Sequence, residues 1–217
     1  MTETPLFPLH LVLFPKIPLR LRIFEPRYQL MLADCVKNMQ PFGVLLIKTG
    51  LEIGTDPVST YNTGVTAQIT RIDPQKKGVT LITAIGLERF RVSSFNHDKA
   101  YLGGNIELSP LKFTEQTQLD FSYLAMHREV NKYLEIVHQA SRKKKPFNQP
   151  KLPPNLEPLA FLAASILQIP PHEKQTLLEL DNHITFLQEV RRLLRREITV
   201  YSHLRPGSNS RGKGKRN

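Results

Sequence analysis

The sequence predicts an α+β fold in which a β-rich N-terminal half precedes a helical C-terminal half. Up to about Pro110, short apolar segments are separated by turn residues, and only one of them has the apolar spacing of a helix. Beyond that point apolar residues recur every three or four positions, which is the repeat of an amphipathic helix. We therefore expect a curled sheet or small barrel with one helix, followed by a helical bundle.

The β-rich half is expected to begin with a buried strand at residues 9–14 and a single helix. That helix starts at Glu25-Pro26 and runs to about Met39. The proline fits the first helical turn, where its missing N–H is not needed. Residues 42–47 are continuously apolar, which predicts a strand covered on both faces.

The remaining strands of this half are predicted from alternation and from turn residues. Residues 65–70 alternate between apolar and polar, the pattern of a half-buried strand. Residues 73–78 form a turn, and residues 79–85 return as a further strand. Gly86 and the glycine pair at 103–104 separate the last strands, around residues 90–92 and 105–108.

The helical half is predicted to contain a long helix and three shorter segments. The long helix covers about 25 residues from near Leu119. Asn155 is placed as the cap of a second helix, which the proline pair at 170–171 ends. A short helix follows to about Leu180, and Asp181 is placed as the cap of the last helix.

These patterns divide the chain into a β-rich subdomain, 1–112, and a helical subdomain, 113–203. Within the second, residues 142–154 are basic and rich in proline, which is typical of a linker. Residues 204–217 contain mainly Gly, Ser, Lys and Arg, and we expect this basic tail to be disordered.

The positive charge of the chain is unevenly distributed. The formal net charge is +11 at pH 7, but residues 142–145 and the tail hold nine basic residues and no acidic one. Such segments bind RNA or an acidic membrane surface in some proteins. A solvated tail without a partner is the more common case, and it is the interpretation we favour.

Four arginines on the last helix form a candidate basic contact surface: Arg191, Arg192, Arg195 and Arg196. They make two like-charged pairs four residues apart, which destabilise a helix slightly, and Glu189 offsets part of that repulsion. A helix that keeps this repulsion is suited to a partner rich in phosphate or carboxylate. The alternative, a solvated polar face above the core, is favoured slightly.

No catalytic, metal or cofactor site is predicted, so we expect a non-enzymatic protein. The string 212–215 has glycines and lysines but lacks the hydroxyl residue of a phosphate-binding loop. His127 and His138 lie roughly 16 Å apart along one helix, too far to share a metal. The single cysteine, Cys35, is expected in the core, and no serine–lysine dyad is evident.

Cysteine usage and hydropathy indicate a cytoplasmic protein. One cysteine excludes an internal disulfide, which makes a reducing compartment the default. No apolar segment is long enough to span a membrane, and the proline-rich N-terminus lacks the features of a signal peptide.

Three segments resemble the N-terminal, substrate-binding domain of the Lon proteases. The first covers residues 5–28, with the apolar run at its start and the string Ile-Phe-Glu-Pro-Arg-Tyr at its end. The second is Gly-Leu-Glu-Arg-Phe-Arg-Val at 86–92, and the third is Lys-Gln-Thr-Leu-Leu-Glu-Leu-Asp at 174–181. Their order matches the family over residues 5–199, although 182–186 departs from the arginine-leucine pair that the family usually has there.

The resemblance implies a β-rich subdomain of PUA-like architecture followed by a helical bundle, in a stand-alone form without the ATPase and peptidase domains. It also implies a domain that captures unfolded or specific polypeptides, as a possible adaptor to a protease. A concave sheet edge, or an apolar groove between the subdomains, is expected to take up extended peptide. The alternative is an RNA-binding protein that uses its arginine-rich helix, linker and tail.

Overall fold

The computed structural model describes residues 2–52, 58–114, 123–141 and 147–203. The N-terminal half contains β1 (Thr2–Leu9), β2 (Pro18–Ile23), α1 (Pro26–Lys37), β3 (Phe42–Thr49), β4 (Ser59–Pro74), a 3₁₀ turn (Lys76–Gly78), β5 (Thr80–Asn96) and β6 (Gly103–Leu108). The C-terminal half contains α2 (Tyr123–Ala140), α3 (Leu156–Ile166), α4 (Pro171–Leu178) and α5 (His183–His203). The predicted α+β order, strands first and helices second, is confirmed.

The six strands form one sheet that closes on itself. Their order is β2-β5-β4-β3-β1-β6, and β6 pairs back onto β5. Only the β1–β3 pair is parallel among the described strands. Because β5 is 17 residues long, its first part pairs with β2 and its last part with β6. The closed part therefore has five strands, and β2 extends the sheet beside the first part of β5.

The closed part of the sheet holds a small apolar cluster, consisting of Leu6, Leu45, Phe90 and Ile106. Every residue from 42 to 47 is buried, which confirms the predicted strand with two covered faces. Strands come so close here that a Cβ on Gly64 would lie 2.2 Å from the Val44 carbonyl oxygen. Glycine is therefore required at this point of the barrel.

A larger core joins the sheet to the helices. It includes Phe14 from the N-terminal half and Phe186 from α5, whose ring centroids are 6.4 Å apart. Its helical contributors repeat at three- and four-residue spacing, as the sequence predicts. The two halves consequently share one continuous apolar core.

The predicted strand at residues 9–14 is wrong. The strand ends at Leu9, and Leu13 and Phe14 are buried from a loop instead. That loop turns at Lys16, which has a positive φ of 65° and donates its N–H to the Gly86 carbonyl at 2.8 Å. An apolar run marks burial, but it does not distinguish a strand from a loop held in the core.

The predicted break at Gly86 is also wrong, because β5 continues through it from Thr80 to Asn96. A Cβ on Gly86 would lie 2.4 Å from the Phe14 carbonyl oxygen. The glycine therefore allows the loop before β2 to approach the strand, and it does not end the strand.

Asp181 is not the cap of the last helix. The Asn182 side-chain oxygen accepts from the N–H groups of Ile184 at 2.8 Å and Thr185 at 3.2 Å, and the helix begins at His183. Asn155 does stand at the cap position of α3, but only through its backbone carbonyl.

Part of the predicted linker contributes to the core. Leu152 is buried, and the Tyr123 hydroxyl donates to the Pro153 carbonyl at 2.9 Å. Residues 142–146, the predicted helix start near Leu119 and the tail at 204–217 lie outside the described residues. The boundary between the subdomains stays a prediction.

Candidate functional site

The four arginines of the candidate basic surface lie together on α5, and each has a carboxylate partner. Arg191 donates to both oxygens of Glu129 on α2, at 3.0 and 2.9 Å, and Arg195 donates to one of them at 2.7 Å. Burial alone raises the pKa of Glu129, but the hydrogen bonds from these arginines outweigh it and hold the pKa below its ordinary value. One carboxylate on the neighbouring helix thus offsets the repulsion between two arginines.

The other two arginines are paired as well. Arg192 contacts Glu189 at 2.8 Å, and Arg196 contacts Glu173 on α4 at 3.0 Å and Glu197 at 3.5 Å. Much of the positive charge of this surface is therefore engaged within the chain. Its proposed role as a partner-binding surface stays a prediction.

The structure reveals a buried arginine that joins the two halves of the chain. Arg89 on β5 is almost inaccessible, and burial lowers its pKa. Its guanidinium donates to the carbonyls of Ser109 at 2.7 Å, Leu178 at 3.0 Å and Leu180 at 2.6 Å, and to the Asp181 carboxylate at 3.0 Å. The arginine of the 86–92 segment therefore satisfies the carbonyls at the end of α4.

Asp181 binds the guanidinium of Arg89 and does not cap a helix. It also accepts two hydrogen bonds of 2.7 Å from the exposed Arg91, and these hold the pKa of the carboxyl below its ordinary value. Nearby, Gln175 donates to the Thr63 carbonyl at 3.0 Å. The second and third segments quoted above thus contact each other, and the predicted groove between the subdomains is filled at this point.

The start of α1 is held by a local ion pair. Arg27 contacts Glu25 at 3.0 Å and donates to the Glu52 carbonyl at 3.2 Å, while its guanidinium lies 4.5 Å from the centre of the Tyr28 ring. These contacts account for both charged residues of the first quoted segment. They fix α1 against the loop that follows β3.

An apolar groove of about 630 Å³ lies between α1 and the turn that joins β4 to β5. Its helix wall is the stripe Gln29, Leu32, Ala33, Val36 and Lys37, and its opposite wall is Pro74, Gln75, Gly78, Val79 and Thr80. Val36 is half exposed. The Gln29 side chain donates to the Gly78 carbonyl and ties the two walls together.

Two other apolar side chains of this region are exposed to solvent. Leu30 lies on α1, and Met39, which follows the end of α1, is 86% exposed. Contiguous exposed apolar surface, such as the lining of a groove, commonly marks an interaction site. The groove is therefore the best candidate for a binding site of the described chain, and no sequence pattern marks it, because its second wall comes from a distant turn.

The described residues contain no group of three or more His, Cys, Asp or Glu that is suited to hold a metal ion. Cys35 is buried as expected, and burial raises the pKa of its thiol to about 11. Within the described residues, no helix combines the length and the apolarity needed to cross a membrane.

Comparison with known proteins gives a consistent result. The family model of the ATP-dependent protease La (LON) substrate-binding domain matches residues 3–196. The Lon protease of Parabacteroides distasonis is 31% identical over 124 residues, which is 55% of this chain and 15% of that protease. The match thus spans a small part of the length of this relative.

Two solved structures share the fold. One is the crystal structure of a Lon N-terminal domain protein from Xanthomonas campestris, with a TM-score of 0.62, 24% identity and coverage of 88% of this chain and 97% of that one. The other is the N-terminal domain of a Mycobacterium avium complex Lon protease, with a TM-score of 0.58, 15% identity and coverage of 91% and 98%.

Proposed function

This chain belongs to the LON substrate-binding domain family, and on that premise we propose that it binds unfolded or specific polypeptides and acts as an adaptor that delivers them to a protease. The family domain is a substrate-binding and not a catalytic unit. The observation that carries the proposal is the apolar groove between α1 and the β4–β5 turn.

The shape and lining of the groove suit a polypeptide segment. Its walls carry the apolar side chains Leu32, Ala33, Val36 and Val79, and Val36 remains half exposed. The groove is open along the surface, so a chain can enter it without having a free end. Removing apolar side chains of an unfolded polypeptide from water supplies the driving force, which depends little on sequence.

A charge placed in the groove tests this proposal. We expect Val36→Glu to weaken binding of a labelled, permanently unfolded polypeptide with apolar segments and no net charge by about tenfold, because a carboxylate opposes apolar contacts. Fluorescence anisotropy at low and high salt provides the measurement. Binding to the unaltered chain should change little with salt.

Leu124→Glu is the matched control, since Leu124 is an exposed leucine on α2 outside the groove. It adds the same charge at a similar exposure and should leave the affinity unchanged. Equal affinities for the Val36 and Leu124 variants would exclude the groove as the binding site. The adaptor role requires in addition that the unaltered chain speeds degradation of the same polypeptide by a Lon protease, and that Val36→Glu does not.

RNA binding, the alternative function, receives less support from the contacts. Arg191, Arg192, Arg195 and Arg196 each have a carboxylate partner, and a phosphate would have to displace it. We also propose the cytoplasm as the compartment, on the basis of the single, reduced cysteine.

A further inference from the structure

The outward face of the β2–β5–β4 part of the sheet carries three exposed arginines. Register places Arg20 on β2 opposite Thr83 on β5, and Thr83 opposite Arg71 on β4. Arg22 follows two residues after Arg20, on the same face of β2. These three arginines, with Leu81 and Thr83 between them, line a cavity of about 410 Å³.

These arginines differ from those on α5 in having no carboxylate partner. No ion pair of Arg20, Arg22 or Arg71 is present in the part of the chain that the structure describes. Asp73 lines the same cavity in register with Leu81 and lowers the net charge of the face, but it forms no ion pair with these arginines. The face therefore presents concentrated positive charge to the solvent.

The same face ends at an open strand edge. β2 pairs with β5 on one side and stands last in the strand order, so among the described strands its other side has no partner. An unpaired edge presents N–H and C=O groups to which an extended peptide can add. A nucleic acid has no backbone groups that match this ladder.

We propose that β2 accepts an acidic polypeptide segment as an added strand, with its carboxylates on Arg20 and Arg22. Arg71 lies on the far side of β5 and adds to the positive potential of the face at low salt without contacting the added strand. Alternate residues of a strand lie about 7 Å apart on one face, so the arginines of β2 match acidic residues spaced two apart. The recognised pattern is acidic-x-acidic in an extended chain. This inference rests on the proposed function, because it assumes that the occupant is a polypeptide, and it uses a surface separate from the groove.

The test compares three labelled probes on the full chain by fluorescence anisotropy at low salt. The first is a peptide of about ten residues that alternates threonine and glutamate, long enough to cover β2. The second alternates proline and glutamate; it has the same charge, but proline lacks the N–H and favours a helix with three residues per turn. The third is an oligouridine of equal charge.

The variant is the triple replacement Arg20→Gln, Arg22→Gln and Arg71→Gln. Its charge-matched control replaces the exposed lysines Lys112, Lys132 and Lys151 by Gln. We expect the arginine variant to lose about tenfold in affinity for the threonine–glutamate peptide, and the lysine control to lose much less. We also expect the proline–glutamate peptide to bind the unaltered chain about tenfold more weakly. The three arginines are exposed and form no ion pair with the described residues; Arg22 has only a cation–π contact with Phe24, at 5.9 Å. Circular dichroism and urea unfolding should therefore show an intact fold.

The inference is overturned if the unaltered chain binds no acidic peptide, if the two triple variants behave alike, or if both peptides bind equally. Tighter binding of the oligouridine that the arginine variant abolishes would overturn it in favour of a phosphate ligand. Binding of the uncharged unfolded polypeptide is measured in parallel. If that binding persists and still depends on Val36, the proposed function stands while this inference fails.

Discussion

Replacing Arg89 by Met removes the joint between the two halves of the chain while it keeps an unbranched apolar stem in place. Arg89 makes four hydrogen bonds, to three carbonyls and one carboxylate, from an almost fully buried side chain. The carbonyls at the end of α4 would lose their donor. The variant should therefore be strongly destabilised.

The magnitude follows from the environment of the side chain. A hydrogen bond to a charged group contributes about 1.5–3 kcal/mol, and a buried carbonyl left without its donor costs about 1–3 kcal/mol. Since Asp181 is itself exposed, its ion pair adds little, and most of the loss comes from the carbonyls. With three carbonyls affected, we expect the free energy of unfolding to fall by about 3–5 kcal/mol.

Urea unfolding followed by circular dichroism measures this loss. With a slope of about 3 kcal/mol per M, the midpoint should fall by roughly 1–2 M. Arg91→Met is the matched control, because Arg91 holds the same carboxylate from an exposed position. Its loss should not exceed about 1 kcal/mol.

Equal losses for the Arg89 and Arg91 variants would refute the reasoning, since they would show that the buried carbonyl contacts contribute nothing beyond the ion pair. Arg89→Lys provides a second check. A lysine ammonium cannot reproduce the planar fork of donors, so this variant should recover less than half of the lost stability.

Three further outcomes are expected. The folded pKa of Asp181 lies below the unfolded value, so its contribution to stability is present above about pH 4 and is lost as the pH falls through the folded pKa. In Asp181→Asn, the urea midpoint should therefore fall less steeply as the pH is lowered below about 4. Glu129→Gln should lower the free energy of unfolding by about 1–2 kcal/mol in the same assay, because two arginines lose their shared carboxylate. Arg192→Gln loses only an exposed ion pair and should lower it by less than about 0.5 kcal/mol. The thiol of Cys35 should react with a thiol reagent at neutral pH only at the rate of unfolding, since it is buried and its pKa is about 11; rapid reaction of the native chain would contradict this.

The sequence predicts features that depend on neighbouring residues. The three- and four-residue apolar repeat identifies the helices of the C-terminal half, and the apolar run at 42–47 identifies a strand covered on both faces. Both patterns record which side of an element faces the core. Local strand ends were less predictable, because Phe14 is buried from a loop and Gly86 lies inside a strand.

The candidate sites depend on residues that are distant in the sequence. The groove needs α1 beside the turn between β4 and β5, and the basic face needs β2 and β4 on either side of β5. Neither set of residues has a spacing that marks it in the chain. The candidate arginines on α5 were visible from spacing, but their partner Glu129 on α2 was not.

The sequence by itself determined the order of strands and helices, the buried apolar positions and the resemblance to a family, because each of these depends on local spacing or on short motifs. Tertiary structure alone decided the role of Asp181. The sequence pattern placed it at a helix start, but folding brings it to Arg89, 92 residues away. A carboxylate pairs with the cation that folding places beside it. Here the pairing requires β5, which carries Arg89, to pack against the end of α4, and no local sequence pattern encodes that contact.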